Sequence, residues 1–280
     1  SMSCRFWRDW HCDFSLVRCL PSCATLGLDR YRSAAAGLIG PAVFVLLWGG
    51  LSSLELFPPS SFPRPSAVAA GLLHEVWTGR LFDDAIASLY RVLFGFILSA
   101  VVGLPVGLLC GHSTFVRDAC LPMINFFRSL SPLAWIPFAI LWFGIGDPSA
   151  VFLIFMASFF PIVLSTTAAV AGIPSVFFRV AGDLGISGPR LLREVVLPAI
   201  APQIITALRV AAGLSWLVVV AAEMIAGRDG LGFAVWDARN GLRIDLLAAA
   251  MGVIGILGMV LDRVLVLLTR IPSVAWGYER

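Results

Sequence analysis

The chain has 280 residues, of which 59% are hydrophobic and 13% charged, with a mean hydropathy of +0.92. No soluble domain of this length can hide so much apolar surface in one core, so the composition excludes a soluble globular protein and points to an integral membrane protein. A net charge of +3 is too small to direct the chain to nucleic acid; orientation charges at a membrane face account for it.

The first 32 residues read as a cytoplasmic tail. Ser1-Met2 resembles a cleavage scar, and Arg5, Arg8, Asp9, Asp13 and Arg18 interrupt any signal-peptide core. Phe6, Trp7 and Trp10 suit an interfacial helix. Cys4, Cys12, Cys19 and Cys23 match no zinc spacing even with His11 beside them, and read as ordinary cysteines; Cys110 and Cys120 flank the second and third spans. All 20 basic residues are Arg, a uniformity attributed to genomic composition bias.

A span needs roughly 20 apolar residues to cross about 30 Å of hydrocarbon. Six segments qualify: 33–54, 88–111, 121–145, 149–172, 202–226 and 246–269. Alternation is absent and lipid leaves no water for unpaired backbone groups, so all six are expected to be helices. Gly95, Gly103 and Pro105 are tolerated there and let neighbours approach closely. With the N-terminus inside, cytoplasmic parts hold Arg5, Arg8, Arg18, Arg30, Arg32, Arg117, Arg179, Arg190, Arg193, Arg270 and Arg280. The opposite side holds Arg64, Arg80, Arg228, Arg239 and Arg243, which favours this orientation.

Two connections then lie outside: 55–87, with four prolines and an amphipathic stretch carrying Trp77, Leu81 and Phe82, and 227–245, with Gly230, Gly232, Trp236 and Asn240. Both are docking surfaces for an external protein or simple solvated linkers. Charges within or near spans should face protein, water or headgroups. Arg209 can snorkel, and Asp262-Arg263 can be interfacial. Arg128, before Ser129, Ser131 and Pro132 in a polar, kinkable patch of the third span, can line a pathway or pair structurally. Should the cargo be an anion, Arg128 attracts it, with Ser131 and Trp135 along the route. Trp216 and Glu223 in the fifth span are further pathway candidates, against the commoner state of a buried or lipid-facing Trp.

The polar 28-residue connection 174–201 is long for a turn between spans, and long ordered connections are usually functional. Ser175 after Pro174 starts a short helix to about Leu184, ended by Gly185 in the left-handed region. Ser187 and Pro189 start a second, which Pro198 is expected to stop or kink. The product is a helical elbow suited to docking a soluble partner.

Within it, Arg179-Val180-Ala181, three residues, Gly185, nine residues and Val195-Val196-Leu197-Pro198 resemble the "EAA" loop of binding-protein-dependent permeases, the membrane subunits of ATP-binding-cassette importers. Ala181, Gly185, Leu197 and Pro198 stand at matching positions and Val195 replaces Ile. Arg179 replaces the family's Glu, so an ionic role there does not carry over. Ser131-Pro132-Leu133-Ala134-Trp135-Ile136-Pro137, Trp142-Phe143-Gly144-Ile145-Gly146, Gly213-Leu214-Ser215-Trp216, Ala221-Ala222-Glu223-Met224, Gly230-Leu231-Gly232-Phe233 and Trp236-Asp237-Ala238-Arg239 are similar to the nitrate/sulfonate/taurine/bicarbonate branch.

The resemblance implies an all-α, type I importer-like permease domain at 33–272 between cytoplasmic tails 1–32 and 273–280, paired with a second copy as a homodimer in the bacterial inner membrane. It implies two ATP-binding subunits, an extracytoplasmic substrate-binding protein, and ATP and Mg bound by the partner ATPase, with no cofactor in this subunit. The coupling loop is then formed by Phe177, Phe178, Arg179, Ala181, Gly182, Asp183, Gly185, Leu197 and Pro198. No Walker-type phosphate loop occurs, consistent with nucleotide binding elsewhere. An ion-coupled secondary transporter or channel without an ATPase is the alternative, disfavoured by the lack of broken-helix repeats in matching halves and the scarcity of midplane carboxylates. A membrane-embedded enzyme is disfavoured because His11, His74 and His112 lie in the tail or loops without paired carboxylates or metal spacing.

Overall fold

The computed structural model describes residues 39–54, 58 and 61–268, which contain helices and no strand. The tail cysteines and aromatics, and the C-terminal segment 273–280, lie outside the described residues. The chain divides into two units, 1–58 and 59–280. In the first, α1 (Ile39–Ser53) is a short apolar helix covering the described part of the predicted span 33–54.

The second unit holds α2 (Pro65–Thr78), α3 (Arg80–His112), α4 (Thr114–Ser129), a 3-10 turn (Pro132–Trp135), α5 (Ile136–Phe143), α6 (Asp147–Ala171), α7 (Ser175–Asp183), α8 (Pro189–Leu191), a π turn (Leu192–Val196), α9 (Leu197–Ala226), α10 (Leu231–Asn240) and α11 (Ile244–Leu268). Four helices are long and apolar enough to cross a membrane: Arg80–His112, Asp147–Ala171, Pro189–Ala226 and Ile244–Leu267. The pair Thr114–Ser129 and Pro132–Phe143 makes a fifth candidate, bent by 86°.

α6 is the central column, packed against α3 on one side and α9 on the other. The α3 contact is a ladder of small residues four apart. Gly95, Ser99, Gly103, Gly107 and Gly111 lie on one face, with Ile154, Ile162, Thr166 and Val170, themselves in steps of four or eight, against the glycines. An added Cβ would stand 2.8 Å from Ile154 Cγ2 at Gly95 and 2.6 Å from Thr166 Cβ at Gly107. The Thr167 hydroxyl donates to Gly107 O at 3.2 Å across this seam. Without a hydrophobic drive between helices in lipid, such close backbone approach supplies the dispersion contacts that hold them.

Three expectations need correction. The third span, read as continuous over 121–145, starts at Thr114 and breaks. Ser113 caps α4 by accepting from Val116 N–H at 3.4 Å, and Leu130 is extended with ψ 129°. Pro132 disfavours helical backbone at Ser131 and has no N–H to continue the ladder, so a kink becomes a corner. The amphipathic stretch carrying Trp77, Leu81 and Phe82 is split between two helices by Gly79, whose φ of 78° ends α2 and lets α3 start eight residues before position 88. Pro198 neither stops nor kinks the second elbow helix into a separate element. The π turn before it hands Leu197 N–H to Leu192 O, widening the helix where the proline ring would otherwise crowd the preceding turn, and α9 runs on.

The ladder gives a stability test. Gly107→Ala should lower the stability of the detergent-solubilised protein by about 1–3 kcal/mol through overpacking. Gly255→Ala, in α11 with nothing within 4 Å of the added carbon, should be neutral or stabilising. Thermal unfolding of both variants checks the difference; equal melting temperatures would refute the ladder.

Candidate functional site

The elbow is built from two helices turned by glycines. α7 ends at Asp183, Gly185 takes φ 69° and Gly188 φ 61°, and Ile186 N–H donates to Ala181 O at 2.8 Å, closing the first helix on itself. Ala181 is buried, and Phe178 packs on Val170, Val196 and Ile200, fixing the elbow to the C-terminal end of α6 and the N-terminal end of α9. The remaining apolar side chains face outward: Val176, Phe177 and Val180 are each about half exposed, and Leu184 is 70% exposed. Arg179, Gly182, Asp183, Leu197 and Pro198 are exposed as well. Together these residues present an exposed apolar stripe on an otherwise polar connection.

The pathway candidates fall into two settings. Arg128 is exposed in the last turn of α4, Ser131 is exposed in the corner, and Trp135 stands half-buried beyond it, its ring 6.0 Å from Phe127 and 5.9 Å from Phe138. Arg128 makes no ion pair or hydrogen bond among the described residues. The corner thus gathers these three residues around an aromatic wall. Trp216 and Glu223 are instead enclosed. Trp216 donates its indole N–H to Ile254 O at 3.2 Å and lies on Gly258, filling the seam between α9 and α11. Arg209 pairs in bidentate fashion with Asp262 at 2.7 and 2.8 Å, joining the same two helices.

Glu223 is fully buried at the end of the bundle opposite the elbow, and its partner is Arg91, 3% exposed. Arg91 Nη1 donates to Glu223 Oε1 at 2.8 Å and to Asp229 O at 2.9 Å, Nε donates to Asp147 Oδ1 at 2.6 Å, and Nη2 donates to Asp229 Oδ1. The other oxygen of Glu223 accepts from the Ser88 hydroxyl at 2.8 Å and Gly232 N–H at 2.9 Å. Leu231 N–H donates to Ser88 Oγ, and Gly230 N–H to Asp84 Oδ1, both at 2.9 Å. Gly230 must be glycine: its φ is 100° and an added Cβ would strike the Glu223 carboxyl at 2.6 Å. One guanidinium therefore ties α3, the start of α6, the end of α9 and the loop entering α10. Sequence reading assigned Arg91 no role, although it falls inside the predicted second span 88–111. The available signal was its place on the Ser88, Arg91, Gly95 face of α3.

Residues 103–271 match the family "Binding-protein-dependent transport system inner membrane component". The chain is 41% identical over 232 residues to the nitrate import permease protein NrtB of Synechocystis, covering 79% of this chain and 83% of that one. It is 36% identical over 240 residues to the taurine transport system permease protein TauC of Escherichia coli, covering 84% and 86%. It is 40% identical over 257 residues to the bicarbonate transport system permease protein CmpB of Synechococcus elongatus, covering 87% and 92%. In fold it resembles a chain of the inward-facing MetNI methionine ABC transporter, with TM-score 0.57 at 19% identity, over 70% of this chain and 98% of that one.

The chain belongs to the family of binding-protein-dependent transport system inner membrane components. It is a multi-pass permease subunit of an ABC importer and not an enzyme; components of this class work with an ATPase and a substrate-binding protein.

Removing one partner of the buried pair leaves the other charge stranded. Arg91→Met should cost about 3–5 kcal/mol, and adding Glu223→Leu should recover a substantial part. Thermal unfolding of the single and double variants measures the coupling; a neutral Arg91→Met would contradict it.

Proposed function

We propose that this subunit forms the translocation path for a small anion or organic acid of the nitrate, sulfonate, taurine or bicarbonate type, delivered by an external binding protein. Two copies pair about an axis normal to the membrane, each with six spans and a cytoplasmic N-terminus, and two ATP-binding subunits dock on the 174–201 elbows. Lipid surrounds the pair. The observation that carries this reading is the elbow: a short helix anchored by Phe178 and Ala181, with Val176, Phe177, Val180 and Leu184 left for a partner. The cargo class rests on the three relatives whose names state nitrate, taurine and bicarbonate, and on Arg128, an exposed cation at the corner of the third span.

Magnitudes are consistent with coupling through this surface. Shifting a two-state equilibrium from 1:99 to 99:1 requires about 5.5 kcal/mol of differential binding. Burying one large apolar side chain yields roughly 1.5–3 kcal/mol, so two or three elbow contacts suffice. The outward end of the elbow turns on Gly185. Nothing lies within 4 Å of an added Cβ there, so substitution strains only the backbone.

Gly185→Val should leave the protein inserted and assembled but uncouple uptake from ATP hydrolysis, whereas Gly182→Ala, also in open space but without positive φ, should not. Cargo uptake and cargo-stimulated ATPase in reconstituted vesicles test this. Normal values of both for Gly185→Val would count against the elbow as coupling element.

A further inference from the structure

Polar side chains on the membrane-crossing helices are mostly closed on their own backbone. The hydroxyls of Ser99, Ser158, Thr206 and Ser215 donate to the carbonyls of Phe96, Ile154, Pro202 and Ala211. Ser165 of α6 and Gln203 of α9 differ: both are exposed, and neither side chain hydrogen-bonds to anything among the described residues. They face one groove of about 660 Å³ between the two helices, floored by Gly172 and Ala207. No charged side chain lines it.

Lipid is a poor occupant. A primary amide and a hydroxyl turned to hydrocarbon leave their donors unsatisfied, which is costly where no water competes. The uncovered stripe continues along α9 through Gln203, Thr206, Val210, Gly213 and Leu217, the spacing of one helix face. The groove also adjoins the elbow: Gln203 and Gly172 line the neighbouring depression together with Phe177, Glu194 and Pro198. Gln203 lies five residues beyond Pro198, about 8 Å along the helix, so movement of the elbow changes the groove directly.

We propose that this groove is the cargo's release site, in which the Gln203 amide and the Ser165 hydroxyl donate neutral hydrogen bonds to a small oxyanion. The inference rests on the permease reading and its anionic cargo. Its chemistry complements the third-span corner. Arg128 offers a full charge where cargo is attracted, while neutral donors beside the elbow bind weakly enough to let it go; conduction needs both favourable entry and easy departure. Glycine and alanine around the donors leave space for an ion.

The test uses the assembled importer in vesicles, with nitrate, taurine and bicarbonate each offered as cargo. The double variant Gln203→Leu with Ser165→Ala should lower uptake of whichever oxyanion the wild type carries by about tenfold, while binding-protein-stimulated ATPase stays within about twofold, so cargo moved per ATP falls. Gln203→Asn should retain most of the uptake. Unchanged cargo per ATP in the double variant would overturn the site. Uptake and ATPase falling together would also overturn it, marking the groove as a contact between subunits. Failure of the wild type to carry any of the three compounds would sink the cargo reading, and the release site with it.

Discussion

A buried guanidinium governs one end of this protein. Arg91 survives inside an apolar bundle because its donors meet Glu223, Asp147 and Asp229, and because Ser88 and Gly232 complete the coordination of Glu223. Left unmatched, such a charge is far more costly than the pair is stabilising, so the arrangement enforces register rather than adding much net stability. The small-residue ladder continues from it on the same face of α3. Sliding α3 past α6 by one turn would keep small residues facing small gaps, but it would pull Arg91 off its carboxylates. Shape permits several registers; the charge selects one.

The opposite end is organised differently. There the elbow is held by a modest apolar cluster and leaves much of its surface uncovered. α9 joins the two ends without a break, carrying Pro198 at the elbow and Glu223 in the clamp, 25 residues and about 38 Å apart. A continuous helix, with Pro202 in its first two turns, pinned by charge at one end and attached to a receptive surface at the other, has the layout of a lever. In the proposed importer, force arriving at the elbow tilts α9 and α6 about the Arg91 end, reshaping the groove at Gln203 first.

Much of this was legible in the sequence because apolar length and glycine placement are local signals. The second, fourth, fifth and sixth segments correspond to α3, α6, α9 and α11, and Gly185 takes the left-handed turn expected of it. What the sequence withheld was pairwise. Nothing local says that Arg91 meets Glu223 across 132 residues, or that Gly230 is required to let that carboxyl approach. Hydropathy also hides the corner after Leu130, since the residues on both sides remain apolar and only Ser131-Pro132 marks the break. Pro198 misled for a related reason: a π turn upstream absorbs it, and no residue type announces a π turn.

The central claim is that the elbow stripe is the seat of the ATP-hydrolysing subunit. A photoreactive amino acid placed at Leu184 of the intact transporter tests it most directly, with one at Leu217, 68% exposed in the second half of α9, as the comparison. The account predicts a cross-link from position 184 to the ATP-hydrolysing subunit and none from position 217. Position 184 reaching only lipid, or only the external binding protein, would contradict it.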